Sequence, residues 1–286
     1  MTNNKNPLGF PEMVDHVEKM LTDPEILRLY DEGDKLSSSQ TKHDVGHAFS
    51  VLNTARYLTD ELHKRFPDCL SDEARLVVIP AGAFLHDIGR AISVDDHAEA
   101  GKKVAQDYLS AKGFPTKVVS KVAAVVACHR SDKFLGISIE ALKKFPELAI
   151  VVIADKCVGD EDRVRPRQAF FLRVLRLVGL ARTNFWDNAE HDRVNFAIKD
   201  AQLLVDSDDA CTQEHAGAIV LKLVLDEKVA PAKELLSLYG KRFHSCGRAA
   251  KSLGFLFRIE VNSVRFMYDD VTNQWRPLEC FSVQLP

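Results

Sequence analysis

The sequence predicts a mainly α-helical bundle followed by a small C-terminal α+β module. Three observations lead there. Apolar residues recur at helical spacing through most of residues 1 to 190. After about residue 191 the segments alternate and become rich in β-branched and aromatic residues. Between them, His47, His86, Asp87, His97, His129 and Asp155 each continue an apolar helical stripe. Buried imidazoles and carboxylates are costly unless paired or bound to metal.

Residues 11 to 33 read as helical and peripheral. A helix over about 40 to 66 carries His47 one turn before Val51, on the face of Val51, Ala55, Leu58 and Leu62. A second, over about 72 to 88, runs through Ile79 and Ala83 to His86-Asp87 and stops at Gly89. Asp95 or Asp96 can cap the next helix, with Glu99 placed for a capping box after Asp96. That helix carries His97 ahead of Gly101, Val104 and Tyr108, and ends at Gly113. Pro115 suits the first turn of the helix in which Val118, Val122 and Val125 lead to His129. Residues 146 to 158 place Leu148, Val151 and Val152 ahead of Asp155, and 166 to 181 form a further helix. RVNFAIKDAQLLVD, AIVLKLVLD and FLFRIEVNSVRFMYDD read as strands, with a long helix over about 231 to 252 before the last. The expected division is 1–190 for the helical metal-binding domain and 191–286 for the α+β module.

Composition narrows the function. A net charge of -3 offers no basic field for a nucleic-acid polymer. Six cysteines without a C-x-x-C pair give neither a zinc ribbon nor a disulfide framework, and point to reduced thiols in a cytoplasmic protein. The N-terminus lacks a basic-then-apolar signal, and the longest apolar runs, such as LAIVVIA, are too short for a bilayer. No membrane partner is expected, and the assembly expected is a homodimer.

A joint set of imidazoles and carboxylates suggests metal. His86 and Asp87 leave a helix about 100° apart, so both reach one ion only near the helix end. Asp87 can bridge two ions with its two oxygens. His47, His86, Asp87 and Asp155 then form one site, and Asp87, His97 and His129 a second. One or two divalent ions of iron, manganese, nickel, cobalt or zinc suit such donors.

His47 with Val51 and Ala55, LHDIG at 85–89, HAEAG at 97–101, CH at 128–129 and IADK at 153–156 together resemble the HD-domain superfamily. The resemblance covers roughly residues 40 to 160. DEDRVR, HDRVNFAIKD and GFLFRIEVN also resemble, more loosely, the tail of bacterial and archaeal HD proteins of poorly defined substrate. The resemblance implies a helical metal-dependent phosphohydrolase of the binuclear subgroup, in which a water or hydroxide between the metals attacks phosphorus. It implies a small phosphorylated substrate, possible nucleotides among them. Asp87 joins the catalytic set as the shared carboxylate. Arg90, Arg130 and Lys156 lie beside ligands and could orient a phosphate, or could simply pair with Asp132, Asp95 or the acidic 160–162 run. The charged stretch from Asp160 to Arg167 could clamp a polyphosphate or be a solvated turn. Cyclic-dinucleotide phosphodiesterases of the family commonly carry Lys at the position of Arg90. The guanosine-tetraphosphate hydrolases carry an acidic pair where this chain reads GRAIS. Neither substrate is assigned.

Three rivals use parts of the same pattern. Some HD-fold proteins are di-iron oxygenases with the same ligands. A non-catalytic sensor or scaffold could use the metal structurally. His43-Asp44-x-x-His47 is similar to the H-E-x-x-H zinc-protease helix, with both histidines sharing a face if the helix includes them. Otherwise His43 is a residue behind the ligands or on the surface. Cys128 beside His129 points away on a helix, so Cys128 and Cys157 read as packing residues.

Overall fold

The computed structural model describes residues 7–37, 41–207, 215–269 and 272–278. Helices α1 (Phe10–Met20) and α2 (Pro24–Leu36) pack on the outside of the bundle. Asp23 caps α2 by accepting from the Glu25 N–H, and Pro24 occupies a first-turn position where no intrahelical donor is needed. Helix α3 (Val45–Arg65) follows, capped by Asp44. A π turn (Ala74–Val78) leads into α4 (Ile79–Leu85), every residue of which is buried. The π turn sits just before Pro80, which lacks the N–H that a continuous α-helix would require.

The chain then turns through a 3-10 segment (Ile88–Ala91) into α5 (His97–Ala111), α6 (Thr116–Cys128), the short α7 (Ser131–Phe134) and α8 (Ile139–Lys143), and α9 (Pro146–Cys157). Gly113, at φ +89°, breaks the chain between α5 and α6 as expected. Pro115 occupies the cap position of α6 rather than its first turn. Asp96 is the cap residue of α5, but its side chain makes no capping bond and Glu99 pairs with Lys102 instead. Helices α3, α4, α6 and α9 pack on one another around a continuous apolar core. Helix α9 is nearly all apolar and buried, so Asp155 is carried on a rigid central rod.

After α10 (Pro166–Leu177), α11 (Ala189–Ala197) departs from the sequence expectation: RVNFA, read as strand, is the end of a helix, and the strand β1 begins at Ile198 and runs to Asp206. Val194, Phe196 and Ala197 are all buried, and that near-continuous burial mimics a core strand in sequence. Strand β2 (Ala218–Leu225) pairs antiparallel with β1. Helix α12 (Ala232–Ser252) then crosses to β3 (Leu256–Val261), which pairs parallel with β2, Ala218 opposite Leu256. Strands β4 (Val264–Asp269) and β5 (Gln274–Pro277) complete a five-stranded sheet in chain order. The sequence reading did not include β5. Helix α12 packs on β3 and also on α8 and α9, so the sheet module reaches the helix carrying Asp155. Among the described residues no helix is long and apolar enough to cross a membrane.

Candidate metal centre

All six expected side chains meet. His47 lies in the first turn of α3. His86 caps the C-terminus of α4, and Asp87, at φ -102° and ψ 4°, has already left the helix. That break turns the Asp87 carboxylate toward the same point as the neighbouring imidazole. His97 opens α5, His129 caps the C-terminus of α6 and Asp155 sits in the last turn of α9. All six are buried.

Two groups of three have donor atoms close enough to hold an ion: His47, His86 and Asp87, and Asp87, His97 and His129. Asp87 belongs to both. Its Oδ2 lies 3.5 Å from His86 Nε2, while its Oδ1 lies 3.3 Å from His97 Nε2 and 3.6 Å from His129 Nε2. Asp155 Oδ1 lies 3.5 Å from His47 Nε2 and 3.7 Å from His86 Nε2. These separations are longer than a good hydrogen bond. They match donors sharing an ion, which sit about 2.0–2.2 Å from it and so roughly 3–3.5 Å from each other.

Three imidazoles are oriented by the same device. Nδ1 of His86, His97 and His129 bonds the carbonyl three residues earlier: Ala83 at 2.8 Å, Val94 at 2.8 Å and Val126 at 2.7 Å. A carbonyl only accepts, so each Nδ1 carries the proton and each Nε2 turns a lone pair inward. His86 Nε2 is buried with no hydrogen-bond partner. An orphaned buried lone pair of this kind suits a metal.

His47 is the exception. Arg163 Nη1 lies 2.8 Å from its Nδ1 and 3.3 Å from its Nε2, and Asp155 Oδ1 lies 3.5 Å from that Nε2, so no carbonyl fixes this ring.

Burial would raise the Asp87 carboxyl, but Arg90, His86 and His129 override it and hold Asp87 well below the usual carboxylate range. Burial likewise opposes ionisation of Asp155, and Lys156, His47 and His86 outweigh it. Burial, then Arg163, drives His47 down to about 3, and burial lowers His97 to about 4. Neutral imidazoles at His47 and His97 beside ionised carboxylates are the protonation states that metals require.

The three expected cations fall near the centre with different partners. Arg90 Nε is 3.2 Å from Asp87 Oδ2, and Arg90 Nη1 reaches Ser37. Lys156 binds Asp155 Oδ2. Arg130, at the rim, pairs with Asp132 at 3.1 Å and with the Asp95 carbonyl. None of them uses the acidic 160–162 run: Asp160 caps its own 3-10 turn (Glu161–Arg163), and Glu161 pairs with Lys199.

Sequence reasoning missed Arg242, reached Arg163 only as part of the charged Asp160–Arg167 stretch, and undervalued His43. Arg163 and Arg242 line the central cavity of about 470 Å³, as does His43. Arg242, on α12, donates to the carbonyls of Asp155 (2.9 Å), Lys156 (2.9 Å) and Val158 (2.8 Å), tying off the end of α9. DEDRVR marked the neighbourhood of Arg163, but nothing local marked Arg242. His43 Nε2 accepts from Arg163 at 3.0 Å. It precedes α3, and the Asp44 carboxylate is occupied by the His47 N–H at 3.1 Å. The two histidines therefore do not share a helical face, and the zinc-protease arrangement is absent. Cys157 packs against Cys246 with sulfurs 3.9 Å apart, a buried packing role as expected.

The HD domain model matches residues 44–160. A solved structure from an uncultured Thermotogales bacterium, described as a predicted HD superfamily hydrolase, is 23% identical, with 63% of this chain and 80% of that chain covered, at a TM-score of 0.31. No match was found among curated proteins. The family model spans the segment that brings these six side chains together, so over residues 44–160 the chain matches the HD domain.

Proposed function

We propose that this protein is a metal-dependent phosphohydrolase that cleaves a small phosphoester. One observation carries the reading: Asp87 offers separate oxygens to separate imidazole groups, as a carboxylate shared by two ions does. In this reading His47, His86, Asp87 and Asp155 hold one divalent ion, and Asp87, His97 and His129 hold a second. Iron, manganese, nickel, cobalt and zinc all suit the donor set. Bound there, such ions supply Lewis acidity toward a phosphoryl oxygen and lower the pKa of a reacting water.

The chain's own residues do the rest. The carbonyl-anchored imidazoles hold the centre rigid. Arg90 balances the Asp87 charge from inside the cavity wall. Lys156 is placed to give up Asp155 for a phosphoryl oxygen, and Arg130 to orient the group at the rim. We assign residues 1–190 to the catalytic domain and 191–286 to a module that braces it through α12. For a homodimer, the exposed apolar side chains Phe170, Phe171, Val174 and Leu177 of α10 are the surface this reading would use.

The test is phosphate release across a panel of nucleotides, sugar phosphates and other phosphoesters, repeated with manganese, iron, nickel, cobalt, zinc and magnesium. Release that depends on a transition metal supports the reading. Turnover that requires dioxygen and reduced iron would replace it with the oxygenase alternative.

A further inference from the structure

We propose that Arg163, backed by Arg242, binds a second anionic group of the substrate, so that this site selects compact molecules carrying at least two phosphoryl groups. The inference rests on the phosphohydrolase reading for which bond is cleaved, but not for what is bound.

Among the described residues Arg163 makes no direct ion pair, although Asp155 and Asp87 act on it from farther off. Its Nη atoms contact only His47 and His43, its Nε is buried without a partner, and among the described residues no carboxylate lies within ion-pairing distance. An imidazole nitrogen that accepts an N–H bond is unprotonated and carries no charge, so neither histidine neutralises the guanidinium. A guanidinium stays a cation at neutral pH. A partly buried guanidinium facing a cavity with neutral partners is set up for a charged acceptor. Two planar N–H pairs can grip a phosphoryl group bidentately.

The rest of the cavity fits the same class of substrate. Its wall carries Arg90, Arg130, Lys156, Arg163 and Arg242 against Asp87, Asp95, Asp132 and Asp155. One or two divalent ions would make it strongly positive. Among the described residues Val94 is its one aliphatic lining residue, and no Phe, Tyr or Trp lines it. Base recognition usually draws on aromatic stacking. This wall recognises charge instead.

Calorimetric titration of the protein as purified with inorganic phosphate and inorganic pyrophosphate tests the binding directly. Pyrophosphate should bind at least about tenfold more tightly than phosphate. Arg163→Gln should bring the two within a few-fold of each other, and Arg163→Lys should restore part of the difference. Equal affinities in the wild-type protein, or an unchanged preference in folded Arg163→Gln, would overturn the proposal. In the hydrolysis arm, hexose bisphosphates should exceed hexose monophosphates in kcat/KM, and ADP should not exceed the bisphosphates. A monophosphate or nucleobase preference would also overturn it. If no phosphate is released with any metal while the pyrophosphate preference holds, the phosphohydrolase reading fails and the anion site stands.

Discussion

Arg242 donates its Nη2 hydrogen to the backbone carbonyl of Asp155 at 2.9 Å, across a separation of 87 residues. With its bonds to Lys156 and Val158 it satisfies three carbonyls that the end of α9 leaves without helical partners. Asp155 can hold a fixed position at a helix terminus because a side chain of the C-terminal part closes that terminus. Arg242→Ala should cost roughly 2–3 kcal/mol of stability and lower metal affinity about tenfold by loosening Asp155. Arg242→Lys should recover only part of each. Thermal unfolding and metal titration of the two variants check this. Unchanged metal affinity in Arg242→Ala would show that α9 needs no brace.

Glycine at 89 is a packing requirement. A Cβ there would come within 2.1 Å of the His97 carbonyl and 2.2 Å of the Gly101 N. Gly89→Ala must push the turn bearing Asp87 away from the start of α5, separating Asp87 from His97. We expect a loss of about 3 kcal/mol together with loss of metal. Gly247→Ala, in α12 where an added Cβ meets nothing within 4 Å, should instead stabilise by about 1 kcal/mol. Urea unfolding of both variants makes the comparison.

The metal-free protein should lose stability as pH falls from about 6.5 toward 4. His47 and His97 titrate near 6.5 unfolded, but at about 3 and about 4 when folded. Between those values the unfolded chain binds protons that the folded chain refuses, so acid favours unfolding. Each such group contributes up to about 1.4 kcal/mol per pH unit. The depressed Asp87 and Asp155 add a further loss at lower pH, as the unfolded carboxyls begin to protonate. Melting temperatures of chelator-treated protein across this range test the sign. A flat or rising profile toward acid would contradict neutral buried imidazoles.

Much of this was legible in the sequence because each ligand interrupts a helical apolar stripe. The stripe ending at His129 and the one ending at Asp155 place polar groups where Val125 and Val152 predict burial, and both are buried. The pairing of glycines was not legible. Gly89 read as a helix stop, yet it lacks the positive φ of a helix-ending glycine, and its role is contact with Gly101 across two segments. Likewise α11 read as strand because tertiary burial hides its helical periodicity. The contacts of Arg163 and Arg242 were hidden for a different reason: they are made to a His47 ring 116 residues away and an Asp155 backbone carbonyl 87 residues away, and periodicity reports only local order.

Asp87→Ala should abolish phosphate release while leaving an organised helical fold, because it removes the carboxylate shared by both groups. Far-ultraviolet circular dichroism alongside the release assay separates loss of chemistry from loss of fold. Activity surviving in Asp87→Ala would leave the scaffold or sensor reading in its place.

The central claim is that six side chains converge to hold divalent metal. Elemental analysis of freshly purified protein that has never met a chelator tests it most directly. The account predicts one to two transition-metal ions per chain, falling at least about tenfold in Asp87→Ala. Substantially less than one ion per chain in the wild-type protein, with no uptake on adding manganese, iron, nickel, cobalt or zinc, would contradict it.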